Sequence, residues 1–170
     1  GQLGHGDRKK QIIPKAIEGF TNVSSISFGE SHMAFIQDGI VYTCGFGNFG
    51  QLGHGDFESQ DIPKAIKGFN NVSSVSCGGE HTAFIQDGIV YAFGRGSFGQ
   101  LGYGDRNDRV IPKAIIGFTN VSSVSCGFHH TTFIQNGIIY TFGSGYFGKL
   151  GHGNQEDQLK PKAIEGFTNV

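Results

Sequence analysis

The sequence predicts an all-β protein, a β-propeller of four-stranded blades forming a partial ring, and three observations carry that expectation. The tetrapeptide GQLG begins at Gly1, Gly50 and Gly99 and returns as GKLG at Gly148, a spacing of 49 residues each time without insertion or deletion. No window longer than nine residues is free of both Gly and Pro, which leaves no room for helices of ordinary length. Asp38-Gly39 and Asn136-Gly137 each separate two β-prone runs, the signal of a two-residue hairpin. The units run 1–49, 50–98 and 99–147, with a partial unit at 148–170, and all belong to one propeller domain.

Each unit supplies four short strands. In the first, Val23 to Phe28 (VSSISF) is small and Ser-rich and ends at Gly29. His32 to Gln37 (HMAFIQ) and Ile40 to Cys44 (IVYTC) are the two arms of the hairpin. The fourth strand is led by a proline and continues as KAI, at Lys15–Ile17, Lys64–Ile66, Lys113–Ile115 and Lys162–Ile164. Proline lacks an amide hydrogen for the ladder, so this strand belongs at a sheet edge. The Ser-rich strand suits the axis, where blades converge and small side chains such as Ser24, Ser25 and Ser27 fit the taper. Larger residues such as Phe35, Ile36 and Tyr42 fill the space between neighbouring sheets.

Composition agrees with a repeat scaffold. The 29 glycines fall in eight recurring slots per unit, with Gly79 alone outside the scheme, so they mark tight turns and close backbone approaches rather than a flexible linker. Net charge is −1 from 13 basic and 14 acidic residues, so no overall field draws the chain to nucleic acid or to an anionic membrane. Three cysteines, Cys44, Cys77 and Cys126, make an odd count and read as small buried apolar residues in a reducing compartment, cytoplasmic or nuclear. The chain opens on Gly1 and both ends cut through a unit, which reads as a piece of a longer parent supplying the remaining blades.

The run from Val72 to Asp105, VSSVSCGGEHTAFIQDGIVYAFGRGSFGQLGYGD, resembles the repeat of the regulator of chromosome condensation family. The combination of CG-x-x-H, DG-x-x-Y, G-x-G-x-x-GQLG and a Pro-led strand carries the resemblance over the whole chain. It implies a seven-bladed propeller, of which this chain supplies about half. It also implies a menu of roles: exchange factor for a Ran-type small GTPase, chromatin-docking module, partner-binding part of a HECT-type ubiquitin ligase or other multidomain protein, or secreted enzyme inhibitor. The family carries Trp where this chain has Cys44, Phe93 and Phe142, and the chain has no Trp, which removes the Trp cluster of the ultraviolet-sensing members. The exchange factor inserts a β-wedge into one blade, and a strict 49-residue period leaves no place for one in these units.

Motifs that elsewhere carry chemistry read here as structure. Gly45, Gly47 and Gly50 spell G-x-G-x-x-G after a strand, but Gly53, Gly55 and Pro63 forbid the helix a dinucleotide site requires, and the motif recurs in every unit. His32, His81 and His130 share one slot, and His5, His54 and His152 share another that Tyr103 fills in the third unit. Equivalent slots do the same local job, whereas a metal needs ligands converging on one point. His129 does not repeat and reads as a surface residue. Glu156-Asp157 sits in a variable loop with nothing to perturb it. No cofactor, metal or catalytic residue is expected, and the leading reading is a non-catalytic protein-binding scaffold.

Following chain direction through a blade places its turns on two rims. The hairpin turns and the GFTN-type turns share a rim that is nearly uniform between units. The other rim varies: Glu30, Gly79 and Phe128 occupy one slot, Phe46, Arg95 and Ser144 another, with Asn48, Ser97 and Tyr146 close by. Its long connection changes from basic Arg8, Lys9 and Lys10 through acidic Asp56, Glu58 and Asp61 to mixed Asp105, Arg106, Asp108 and Arg109. Divergence confined to one rim marks it as the candidate partner surface, drawn from Arg8, Lys9, Lys10, Phe46, Phe57, Glu58, Asp61, Arg95, Arg106, Arg109, Phe128, His129 and Tyr146, against the plain alternative of drift in solvated loops.

Overall fold

A computed structural model describes residues 1–167, so the last three residues of the partial unit lie outside the described residues. Among the described residues twelve strands form three antiparallel sheets. The first is β1 (Val23–Phe28), β2 (His32–Gln37), β3 (Ile40–Gly45) and β4 (Gln60–Ala65), joined in that order. The second repeats it as β5 (Val72–Cys77), β6 (His81–Gln86), β7 (Ile89–Gly94) and β8 (Arg109–Ala114). The third comprises β9 (Val121–Cys126), β10 (His130–Gln135), β11 (Ile138–Gly143) and β12 (Gln158–Ala163). The hairpin between β2 and β3 turns on Asp38 (φ 52) and Gly39 (φ 74), both left-handed as a two-residue hairpin with the right twist requires.

The sheets fan outward from their first strands. β1 abuts β5 and β5 abuts β9, while among the described residues the fourth strands of neighbouring sheets do not meet in this way. Between the first two sheets, Ala34, Ile36 and Val41 of one face pack against Val72, Val75, Cys77, Phe84 and Phe93 of the next. The second seam repeats this packing with Ala83, Ile85 and Val90 against Val121, Val124, Phe133 and Phe142. A Phe from the turn before each first strand seals the outer part: Phe69 lies edge-on to Phe84 and Tyr91, which stack on each other at 5.3 Å.

Polar bonds tie the blades where the strands converge. Ser27 Oγ accepts the Cys77 amide and Ser76 Oγ accepts the Cys126 amide, each at 2.9 Å, so the small serines serve as inter-blade acceptors. Outer edges are capped too: the Gly55 amide donates to the Val110 carbonyl at 2.9 Å and the Gly104 amide to the Leu159 carbonyl at 2.8 Å. Each glycine loop thereby occupies part of the next blade's free edge, which limits edge-to-edge association.

Three expectations are corrected. The fourth strand begins three residues before its proline, at Gln60, because Gly45 pairs with Gln60 across a bulge, and Pro63 sits inside the edge strand. Lys15–Ile17 forms no strand, since among the described residues no third strand lies beside it to complete a ladder. The third strand runs one residue further than Cys44, to Gly45. Among the described residues the one helical element is a 3-10 turn of three residues at Tyr146–Gly148, consistent with the exclusion of helices of ordinary length.

Candidate functional site

The two turns assigned to the variable rim do lie together. The Phe46 amide donates to the Ser31 carbonyl at 2.8 Å, and the Arg95 amide to the Glu80 carbonyl and the Ser144 amide to the His129 carbonyl at 2.9 Å each. The turns preceding β2, β6 and β10 are strung side by side, with the Glu30 amide on the Gly79 carbonyl at 3.2 Å and the Gly79 amide on the Phe128 carbonyl at 3.0 Å. The rim is therefore one continuous backbone surface crossing both seams.

Its centre is Arg95. The guanidinium lies over the Phe49 ring at 4.8 Å, across the first seam. Its Nε donates to Ser97 Oγ at 2.9 Å and its Nη1 pairs with the Glu80 carboxylate. An arginine held by a carboxylate, a hydroxyl and an aromatic face has already lost most of its rotamer freedom, and its Nη2 makes no hydrogen bond among the described residues. At the second seam the same aromatic slot, Phe98, lies tilted against His129 with ring centroids 4.5 Å apart, and Phe128 meets His129 edge-on at 4.5 Å. His129 is thus a half-buried ring rather than a plain surface residue. Burial and the positive charge of Arg95 and Lys149 lower its pKa, opposed by the Glu80 and Glu30 carboxylates. Phe46 and Phe128 flank this centre with exposed rings, 39% and 52% accessible.

The structure thus brings Phe46, Arg95, Phe128 and His129 into one patch. Tyr146 lies further round, its ring 4.0 Å from Phe147. The Gln51 and Gln100 amide oxygens accept the Phe49 and Phe98 amides at 2.9 and 2.8 Å; Lys149 fills that slot in the partial unit and offers no acceptor. There Phe147 takes a left-handed backbone (φ 63) and exposes its ring. The remaining candidates lie on the long outer connections or, for Asp61 and Arg109, at the start of β4 and β8. Arg8 pairs with the candidate Asp61 at 3.1 Å, while Arg106 pairs with Asp157 at 3.0 Å and Arg109 with Asp105 at 2.6 Å, neither of those carboxylates a candidate. Lys9, Lys10, Phe57 and Glu58 are solvent-exposed. Sequence reasoning passed over Glu80, Phe49 and Phe98. The two phenylalanines look like scaffold because the same residue stands in each unit.

Histidines and cysteines beneath the rim are built into the seams. His32 Nε2 lies 2.9 Å from Thr82 Oγ1, and that hydroxyl donates to the Gln51 carbonyl at 2.8 Å. Since the threonine's one proton goes to the carbonyl, Nε2–H of a neutral His32 is the donor. Burial lowers the His32 pKa to about 4 and that of His81 to about 3. Gly78 is what lets His81 lie there: a Cβ would collide with that imidazole and stand 2.6 Å from the Gly127 carbonyl. Cys44 and Cys77 are free and buried, and burial pushes both thiols up to about 12, the opposite of an activated nucleophile. Among the described residues no group of three or more His, Cys, Asp or Glu is placed to hold a metal.

Repeated four-stranded blades, fanned about an inner rank of small strands and locked by recurrent inter-blade bonds, define the class as a β-propeller in partial ring. Within that class the chain belongs to the Regulator of chromosome condensation (RCC1) repeat family, whose repeat matches residues 1–36, 38–85, 87–134 and 136–170. It is similar to yeast RCC1 (Prp20) in complex with Kap60, with TM-score 0.83 and 25% identity over 97% of this chain and 43% of that one. It is equally similar to Prp20p from Saccharomyces cerevisiae, described with its binding to Gsp1p and histones, with TM-score 0.83 and 26% identity over 97% of this chain and 44% of that one. The ultraviolet-B receptor UVR8 of Arabidopsis thaliana is 45% identical over 53 residues, 29% of this chain and 12% of the receptor. The chain spans less than half the length of each of these proteins.

Proposed function

We propose that this chain is a non-catalytic protein-docking propeller segment, acting in the nucleus or cytoplasm, whose variable rim receives a partner at Phe46, Arg95, Phe128 and His129. The observation that carries the reading is Arg95, immobilised on Phe49 and Glu80 between two exposed phenylalanines. Pre-ordered Arg and aromatic side chains at the middle of a patch are the composition of interface hot spots. Arg95→Glu with Phe128→Ser is the test, in affinity capture from cells of the source organism. A specific partner is expected to be retained by the parent chain and by Asn70→Ala with Thr119→Ala on the uniform rim, and lost from the rim variant. Retention by the rim variant with loss from the uniform-rim variant would refute it.

A second reading is guanine-nucleotide exchange on a Ran-type GTPase, favoured by the likeness to Prp20p, which is described as binding Gsp1p. The described units contain no inserted wedge, so any exchange activity would come from surfaces beyond these blades. Release of a fluorescent guanine nucleotide from such a GTPase is expected to stay at its spontaneous rate when this chain is added, and acceleration would favour the exchange reading. A place within a ubiquitin ligase or an inhibitor role has no structural observation to prefer it.

A further inference from the structure

The outer wall carries a second surface, built from residues the rim does not use. Between β4 and β8 runs a groove of about 400 Å³ lined by His54, Lys64, Lys67, Phe69, Ile111 and Pro112. Between β8 and β12 the construction repeats, about 340 Å³ lined by Tyr103, Lys113, Phe118, Lys160 and Pro161. Both have an aromatic and proline floor and two lysines, and neither is lined by any Asp or Glu.

Among the described residues, none of the groove lysines is held in an ion pair, since every ion pair is made by an arginine or the amino terminus. Carboxylates of the adjoining glycine loops are engaged elsewhere: Asp56 accepts the Glu58 amide at 3.0 Å, and Asp105 accepts the Asn107 amide at 3.0 Å and pairs with Arg109. Lys113 has only a ring for company, its Nζ 5.2 Å from the Tyr103 centroid. Burial and then the positive charge of Lys64 hold the His54 pKa down to about 4 against the Asp56 carboxylate, so His54 adds a neutral ring to the groove.

Among the described residues, no hydrogen bond or ion pair of a lysine side chain ties these residues into the blade. Lys15, Lys64, Lys113 and Lys162 occupy one slot in all four units and are exposed, while the residue two positions earlier changes from Ile13, Ile62 and Ile111 to Lys160. A slot that keeps one charge without a structural bond, above an apolar floor, has the character of a recognition surface.

We propose that the outer-wall grooves bind an extended acidic segment of a partner protein, its carboxylates on Lys64, Lys67, Lys113 and Lys160 and its intervening apolar side chains on Phe69 and Phe118. The apolar floor favours a polypeptide over a nucleic acid, since a phosphodiester backbone gains nothing from Phe69 and Ile111. The surface is separate from the rim and stands or falls independently of it.

The test is fluorescence anisotropy of the full chain with a labelled peptide of alternating Glu and Leu. Saturable binding is expected, weakened by roughly tenfold or more when salt rises from about 50 to 300 mM. Lys64→Glu with Lys113→Glu should weaken it at least as much, while Lys64→Arg with Lys113→Arg retains it; far-UV circular dichroism confirms that each variant is folded. The proposal is overturned by absence of saturable binding, by equal affinity for the Gln-Leu peptide, by indifference to charge reversal, or by equally tight binding of an oligodeoxythymidylate, which would assign the wall to phosphate polymers.

Discussion

His81 of the second blade and Thr131 of the third share a buried hydrogen bond across the seam, Nε2 to Oγ1 at 2.8 Å, and the same hydroxyl donates to the Gln100 carbonyl at 2.8 Å. The arrangement copies His32, Thr82 and Gln51 one unit earlier. Each threonine thus joins the second strand of its own blade to a histidine and a glycine loop of the blade before it.

Replacing Thr131 by Val removes both bonds while keeping the shape, and strands the His81 donor and the Gln100 acceptor in a buried site. A loss of about 1–3 kcal/mol of unfolding free energy is expected in urea titrations, with Thr131→Ser recovering most of it.

The seam histidines set an acid limit on stability. Their folded pKa values, about 4 for His32 and about 3 for His81, lie below the ordinary 6.5, because burial disfavours the charged imidazole. The unfolded chain therefore takes up protons first. Stability is full above pH 6.5 and falls progressively as pH drops from there toward the folded values. Thermal midpoints measured from pH 8 down to pH 4 are expected to be flat and then to decline below 6.5. The decline should be shallower in His81→Gln, once its lower starting stability is subtracted.

Much of this was legible in the sequence. The 49-residue period, the Asp-Gly hairpins and the limit on helix length gave the three sheets and their strand order, because each depends on local chemistry. The start of the fourth strand was hidden, since Gln60 and Asp61 have no β character of their own and enter the ladder only by pairing opposite Gly45. The His–Thr bonds were hidden for another reason: their partners stand 50 residues apart and belong to different blades, and only the stacking of blades joins them. At the rim, variation between units pointed to Arg95 and Phe128, but the rings that orient the site, Phe49 and Phe98, do not vary and so gave no signal.

One pair of slots changes in concert. Thr43 donates to the Leu52 carbonyl at 2.7 Å and lies 3.0 Å from His54 Nε2, and Thr141 with His152 repeats this. In the second blade Ala92 replaces the threonine, and Tyr103 reaches into the space to donate to the Ala92 carbonyl at 2.6 Å. Tyr103→His alone is expected to destabilise by about 1–3 kcal/mol, and adding Ala92→Thr should return most of that loss, a coupling readable in a double-mutant cycle.

Whether the variable rim is where a partner docks is decided by photocrosslinking. A benzophenone amino acid is placed at position 46 on the variable rim, or at position 70 on the uniform rim, and the chain is irradiated in cells of the source organism. A discrete protein adduct from position 46, absent from position 70 and abolished by Arg95→Glu, is the expected result. An adduct formed from position 70 and not from position 46 would contradict it.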